Sequence, residues 1–353
     1  MNLSDTLGAL DITFDYNRYI LKNLLKLFRS YQLHNTLCRQ VEALLLSNKD
    51  VPLSSINNIQ RTSIESMIES GFPDAGFALG KMFHIESFGG FNVALQSAPD
   101  LAQAVILIAR YTPQFEAILQ LEFCDQTRRL YVEFDKRLST SDWQYEDALM
   151  ACWQMLKQLV AVPLTPEKVA IKALRPDYAD AYRQELNVEV EFGASRTYIQ
   201  LSPEDWAYPM RLPSAQITAL FGQWFSHESK EDTAWLIDVY RLIYRNLSQH
   251  SRPLSLPLLA QQRHCSIATM KRHLKKHGKS FTQMKDEVAM LISYHFLART
   301  TLPIYQVAVW LNFSDSANFC RACKRWFGVT PKTLRATAQQ SHQLTNRILS
   351  EIT

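Results

Sequence analysis

Glycine is scarce in this 353-residue chain: ten are present, under half the usual share of about 7%. No three of them form G-x-G-x-x-G or G-x-x-x-x-G-K-S/T, so loops that cradle nucleotide phosphates are disfavoured. Long apolar runs are missing too; none approaches the roughly 18 residues of a membrane-spanning helix. The stretch Met1 to Asp15 carries acids where a secretory signal carries bases. The expectation is a soluble, cytoplasmic protein with no membrane partner. Neither H-E-x-x-H nor G-x-S-x-G occurs, so no catalytic residues are assigned and the chain is not read as an enzyme. Cys320-x-x-Cys323 has no second C-x-x-C to complete the four ligands of a structural zinc site. The pair reads as one core thiol and one thiol on an outer helix face, and no metal or cofactor is expected. His264, Cys265, His273 and His277 read as solvated or phosphate-facing groups on a turn and a basic helix.

What the chain has in quantity is apolar and aromatic surface: 47% hydrophobic residues, with seven Trp, 14 Tyr and 18 Phe. That suffices for packed cores, and the length suggests two or three domains. The net charge of +4 conceals a division. Residues 233–340 hold 16 Lys and Arg against four Asp and Glu, or +12, while 22 bases and 30 acids leave the remainder at −8. Such asymmetry points to a polyanionic partner for one part of the chain, with a solvated basic surface as the bland alternative.

Spacing resolves the two readings. In residues 1–225, Ile20, Leu21, Leu24, Leu25, Phe28, Leu37, Val41, Leu44 and Leu45 recur at helical intervals. Further helices are expected from Asp100 to Tyr111, with Pro113 as a stop, and from Tyr145 to Ala161. Alternation in Leu119–Phe123 and Leu130–Phe134 around Asp125-Gln126-Thr127 predicts a β-hairpin. Short strands are expected at 169–173, 188–192 and 198–201, so this part is α+β. Glu185, Glu189 and Glu191 read as a charged helix end and strand face. Phe77, Phe83, Phe88, Phe91 and Trp153 are candidates for a ligand pocket, with core packing as the competing role. The polar stretch 226–232 reads as a linker.

Beyond it the strand signals vanish. Trp235–Leu247 is expected to be helical. About 256–276 and again about 303–327, a short helix, a capping residue and a basic helix follow one another. Gly278 and Gly328, the only glycines after residue 222, end the two basic helices. Thr282–Arg299 forms a long connector, and residues 341–353 are a tail. Ile267, Met270 and Leu274 are expected to bury while Lys271, Arg272 and Lys275 reach outward. In the second helix Phe319 and Cys323 bury while Cys320, Arg321 and Lys324 face outward. A helix that is apolar on one side and basic on the other suits the DNA major groove, which is roughly 12 Å wide.

Residues 235–337 resemble the DNA-binding domain of the AraC family of bacterial transcription regulators. The residues carrying the likeness are L-x-x-L-A at Leu256–Ala260, S-x-x-T-M-K-R-H-L at Ser266–Leu274, I-x-x-V-A at Ile304–Ala308, and F-S-D-S-A-N-F-C-R-A-C-K-R-W-F-G-V-T-P from Phe313 to Pro331. Q-S-A-P-D-L-A-Q-A-V with Ala109-Arg110-Tyr111, and Tyr182-Arg183 with Asn187–Ala194, resemble the ligand-sensing half of one branch of that family. The resemblance implies an α+β N-terminal sensor domain, also a dimerisation domain, joined to an all-α C-terminal domain with two helix-turn-helix units bridged by a long helix. It places base-reading positions on Ala268, Lys271 and Arg272, and on Ser316, Ala317, Cys320 and Arg321; Lys275 and Lys324 suit phosphates. It also implies double-stranded operator DNA, a small-molecule effector and a homodimer as partners, with RNA polymerase if the protein activates. Asn312 stands where the family has glycine, Cys323 where it has a core Phe, and Ala289 where an Arg commonly opens the connector. A nucleoid-type architectural DNA-binding protein without a ligand is the competing reading.

Overall fold

The computed structural model describes residues 16–210 apart from 48–52, 89, 116–117, 136–139 and 161, parts of 235–247, and residues 254–337. By internal contacts the chain forms two compact units. One comprises residues 15–88 and 98–210; the other comprises residues 1–14, 89–97 and 211–353. The segment 89–97 lies within the expected N-terminal stretch, yet it groups with the C-terminal residues. The expected linker and tail lie outside the described residues.

The first unit is α+β. Helices α1 (Tyr16–Ser30), α2 (Thr36–Leu46), α3 (Leu53–Glu69) and α4 (Ala75–Lys81) precede a 3-10 turn at Ile85–Phe88. Leu21, Leu24, Phe28, Val41, Ile56 and Ile64 bury at the centre of this cluster, the stripe that their three- and four-residue spacing demands. Later elements of the unit are α6 (Leu101–Phe115), β1 (Leu119–Cys124), β2 (Arg129–Phe134), α7 (Asp142–Leu159), β3 (Lys168–Ile171), α8 (Ala179–Leu186), β4 (Val190–Phe192), β5 (Thr197–Gln200) and α9 (Pro203–Trp206). The five strands form one sheet in the order β1-β2-β5-β3-β4, with β3 and β4 parallel and joined through α8. The β1–β2 hairpin forms as its alternation predicts, Leu121 opposite Val132, with Arg128 at φ +55° in the turn. Pro113 does not stop α6, which runs to Phe115; so near the end, a missing N–H costs the helix little.

Helix α4 packs directly on α7. A Cβ on Gly76 would fall 2.6 Å from the carbonyl oxygen of Trp143, and one on Gly80 would overlap that of Asp147. Two glycines one turn apart therefore let the backbones meet. Glu185 on α8 ties the pair from outside through Lys81 at 2.9 Å and Lys157 at 2.6 Å.

In the second unit, residues 235, 239–240, 242–243 and 246–247 are helical. Then come α10 (Leu256–Gln262), α11 (Ile267–Lys276), α12 (Phe281–Arg299), α13 (Ile304–Trp310) and α14 (Ser316–Phe327), with residues 331–337 also helical. Helix α5 (Gly90–Gln96) packs on α12. There the Tyr294 hydroxyl donates to Gln96 Oε1 at 3.0 Å, both side chains being buried, and Gln96 Nε2 donates to Asn92 Oδ1 at 2.8 Å. The Tyr294 ring lies 6.2 Å from that of Phe327 on α14. Ala289 does not open the connector; it sits in the middle of α12 and is buried. Among the described residues no helix is long and apolar enough to cross a membrane.

Candidate nucleic-acid interface and ligand cavity

Both helix pairs are built by the same local devices. Helix α10 ends in a Schellman motif: Cys265 N–H bonds Ala260 O, and His264 sits at φ +50°. Helix α13 repeats it, with Phe313 N–H on Ala308 O and Asn312 at φ +60°. The following helices start on side-chain caps, Ser266 Oγ accepting from Thr269 N–H at 3.0 Å and Asp315 Oδ1 from Asn318 N–H at 2.6 Å. They stop at Gly278, φ +65°, and Gly328, φ +72°, conformations in which a Cβ is strained.

These constraints fix which faces show. On α11, Met270 and Leu274 are buried while Ala268, Lys271, Arg272 and Lys275 are exposed. Ile267 departs from expectation: it is 43% exposed, on the open first turn beside Ser266 and Ala268. On α14, Phe319, Ala322, Cys323 and Trp326 are buried, Ala317, Arg321 and Lys324 exposed, and Ser316 and Cys320 half-buried. Burial pushes the Cys323 thiol up to about 12, so it holds no thiolate at neutral pH. Asn318 Oδ1 accepts from Arg321 Nη2, while Asn318 Nδ2 donates to Asp315 Oδ2 at 2.8 Å. The guanidinium is thereby held over the first turn of α14. The Asn318 N–H keeps the Asp315 carboxyl below its ordinary range.

Two acids of this basic stretch tie its helices together. Asp286 accepts both oxygens' worth of bonds from Arg325, at 2.8 and 2.9 Å, and one from Trp326 Nε1 at 3.0 Å, fixing α14 to α12. Glu287 takes Lys279 at 2.7 Å and the Tyr240 hydroxyl, fixing the end of α11 to the same helix. His264 and His273 are exposed and His277 half-buried, and the rings of His273 and His277 pack on Trp235, at 5.4 and 5.7 Å. Sequence reasoning missed the Asp286–Arg325 and Glu287–Tyr240 clamps, because partners some 40 residues apart in sequence leave no periodic signal.

The first unit contains a cavity of about 560 Å³. Its lining includes polar side chains, Asn23, Asn57, Asn58, Gln60, Arg61 and Glu65 from α1 and α3, and Gln144 and Asp147 from α7. It also includes apolar ones, Ile108, Leu119, Leu121, Phe134, Ala151 and Met155. Of the aromatic candidates, Phe83 and Phe88 line it, 5.4 Å apart. Phe77 instead packs against Tyr182 at 4.5 Å, and Trp153 is a core residue donating to Glu185 O. The Phe91 side chain lies outside the described set. Gln158 pins the lip, donating to Phe83 O and accepting from Ile85 N–H, both at 3.0 Å. Trp143 also lines the cavity; it is 7% exposed and its indole N–H has no acceptor. The sequence held no periodic signal for this site, because it depends on glycine-mediated contact of α4 and α7.

Residues 42–210 match the family model of the arabinose-binding domain of AraC transcription regulators, and residues 259–337 match that of a helix-turn-helix domain. The chain is 24% identical over 273 residues to the ornithine utilization regulator of Pseudomonas aeruginosa, covering 75% of this chain and 79% of that protein. It is 22% identical over 296 residues to the HTH-type transcriptional regulator VirS of Mycobacterium tuberculosis, 82% and 87% of the two chains. Over 75 residues, 21% of this chain and 25% of the other, it is 31% identical to the urease operon transcriptional activator of Escherichia coli.

Proposed function

The chain belongs to the AraC family of transcription regulators, with a DNA-binding helix-turn-helix region behind an N-terminal domain of the arabinose-binding type; on that premise we propose that it is an effector-responsive regulator whose α11 and α14 enter successive major grooves of operator DNA. The observation that carries the reading is the duplicated build of the two helix pairs, each with a capped start, a left-handed stop, a buried apolar side and an exposed basic side. Lys271, Arg272 and Arg321 read base edges, flanked by Ala268, Ser316, Ala317 and Cys320, while Lys275 and Lys324 neutralise phosphates. Ile267 adds an apolar contact suited to a thymine methyl. The 19 residues of α12 span about 28 Å at 1.5 Å per residue, close to the roughly 34 Å groove repeat.

The cavity supports the effector half of the proposal, its size falling within the usual ligand range of roughly 300–1,000 Å³. Ornithine, named in one relative, is a first compound to try. Effector binding shifts the population of a DNA-competent arrangement, the protein acting as a homodimer and, where it activates, contacting RNA polymerase. Gel shifts on the chain's own upstream region test the DNA reading. Arg272→Ala and Arg321→Ala should each cost roughly 1–3 kcal/mol on the preferred site and relax discrimination, whereas Lys324→Ala should weaken binding to all sequences alike. Unchanged affinity in both arginine variants would remove the assignment. A protein binding by charge alone would show no preference over competitor DNA, where a regulator shows about a thousandfold or more.

A further inference from the structure

The starts of α11 and α14 share one spacing: a cap, a polar residue three positions on, and an arginine three further. These are Ser266-Thr269-Arg272 and Asp315-Asn318-Arg321. The two triads are joined differently. In α11 the Ser266 and Thr269 hydroxyls pair at 2.9 Å, and Arg272 makes no hydrogen bond or ion pair among the described residues. In α14 the Asn318 amide is engaged at both ends. Its Nδ2 donates to Ser314 Oγ at 2.6 Å and to Asp315 Oδ2 at 2.8 Å, and its Oδ1 accepts from Arg321 Nη2. The Asp315 carboxyl, held below its ordinary range, is ionised at neutral pH and can only accept. The amide nitrogen must therefore face Asp315, which leaves the amide oxygen for the guanidinium. The Asn318 backbone N–H satisfies the Asp315 cap at 2.6 Å whatever side chain stands there, so the side chain is not what starts the helix.

An asparagine on a recognition helix ordinarily reads adenine through both ends of its amide. Here both ends are taken. Arg321 has five N–H donors and spends one on Asn318, so two more remain to meet O6 and N7 of guanine. A long side chain ordered before DNA arrives does not bear that ordering cost on binding, a factor of about two to ten in affinity. We propose that Asn318 is a positioning residue that presets Arg321 for a guanine, so that the half-site under α14 is read more strictly than the half-site under α11. Arg272, with no such partner, is ordered only when it meets its base. This rests on the reading of Arg272 and Arg321 as base readers.

The test is a set of quantitative gel shifts with the full chain on its preferred upstream site and on versions of that site changed one base pair at a time. The base pair relaxed by Arg321→Ala should be G·C, and changing it should cost the parent more than changing the one relaxed by Arg272→Ala. Asn318→Ala should lose about two- to tenfold of the discrimination at the Arg321 base pair and none at the Arg272 base pair. Asn318→Leu, close in volume but without the amide, should do the same; each variant's melting temperature reports whether it folds. In an Arg321→Ala background, adding Asn318→Ala should change nothing further, because the asparagine acts through the arginine. An equal loss with and without Arg321 would make Asn318 a direct reader and overturn the proposal. Full discrimination in both Asn318 variants, or a weakening that is the same on every sequence, would also overturn it. If Arg321→Ala itself relaxed no base pair, the base-reading assignment would fall and the proposal with it, an outcome distinct from a normal Arg321→Ala loss that Asn318→Ala does not share.

Discussion

Asn312 holds φ +60° between α13 and α14, in the left-handed region that favours glycine. Asparagine tolerates this region because its short polar group relieves part of the Cβ penalty that other residues carry. Asn312→Ala should therefore lower stability by about 1 kcal/mol in urea unfolding of the full chain, while Asn312→Gly should leave it unchanged or raise it. Glu185 gives a pH-dependent prediction. Burial raises its carboxyl, but the bonds from Lys157 and Lys81 outweigh this and hold it below the ordinary range. A depressed native value means the pair stabilises above the ordinary carboxylate range and fails as pH falls through that lower value. Glu185→Gln should cost about 1–2 kcal/mol at pH 7, with the gap to the parent shrinking towards pH 3. Constant loss across that range would contradict the assignment.

Elements whose limits are set locally were legible in the sequence. Helix α14 begins and ends at Ser316 and Phe327 as its Asp315 cap and Gly328 stop require, and α11 and α12 fall within a residue or two of expectation. Those made by packing were not. Helix α3 carries Asn57, Asn58, Ser63 and Thr62 among its apolar positions, which masks the period. Helix α4 contains Gly76 and Gly80, which read as breakers until their contact with α7 is seen. Gly80→Ala should accordingly destabilise by roughly 1–3 kcal/mol, because the added methyl meets Asp147 O and the Met150 Cβ. The shift in urea midpoint measures this, and an unchanged midpoint would mean that α4 can move away from α7 without loss. The α4–α7 contact also carries Trp143 and Asp147, so the same substitution disturbs the cavity wall.

At the scale of the whole molecule, the division into +12 and −8 takes on structural content. Of the four acids in the basic stretch, Asp315 caps a helix and Asp286 and Glu287 clamp the neighbouring helix pairs to α12; Asp238 lies outside the described residues. The exposed faces of α11 and α14 are left basic, which charge counting alone could not locate. The outward faces of α11 and α14 were legible, Ile267 apart, because helical periodicity determines which side chains share a face. The cavity was not, because its walls come from α1, α3, α4, α6, α7 and the β1–β2 hairpin, elements that sequence order separates. The most direct measurement of the central claim is hydroxyl-radical footprinting of the full chain on its preferred upstream site. The account predicts two protected patches on one face of the duplex, about one helical turn apart, with Arg272→Ala clearing one and Arg321→Ala the other. A single patch, or protection spread evenly over unrelated DNA, would contradict it.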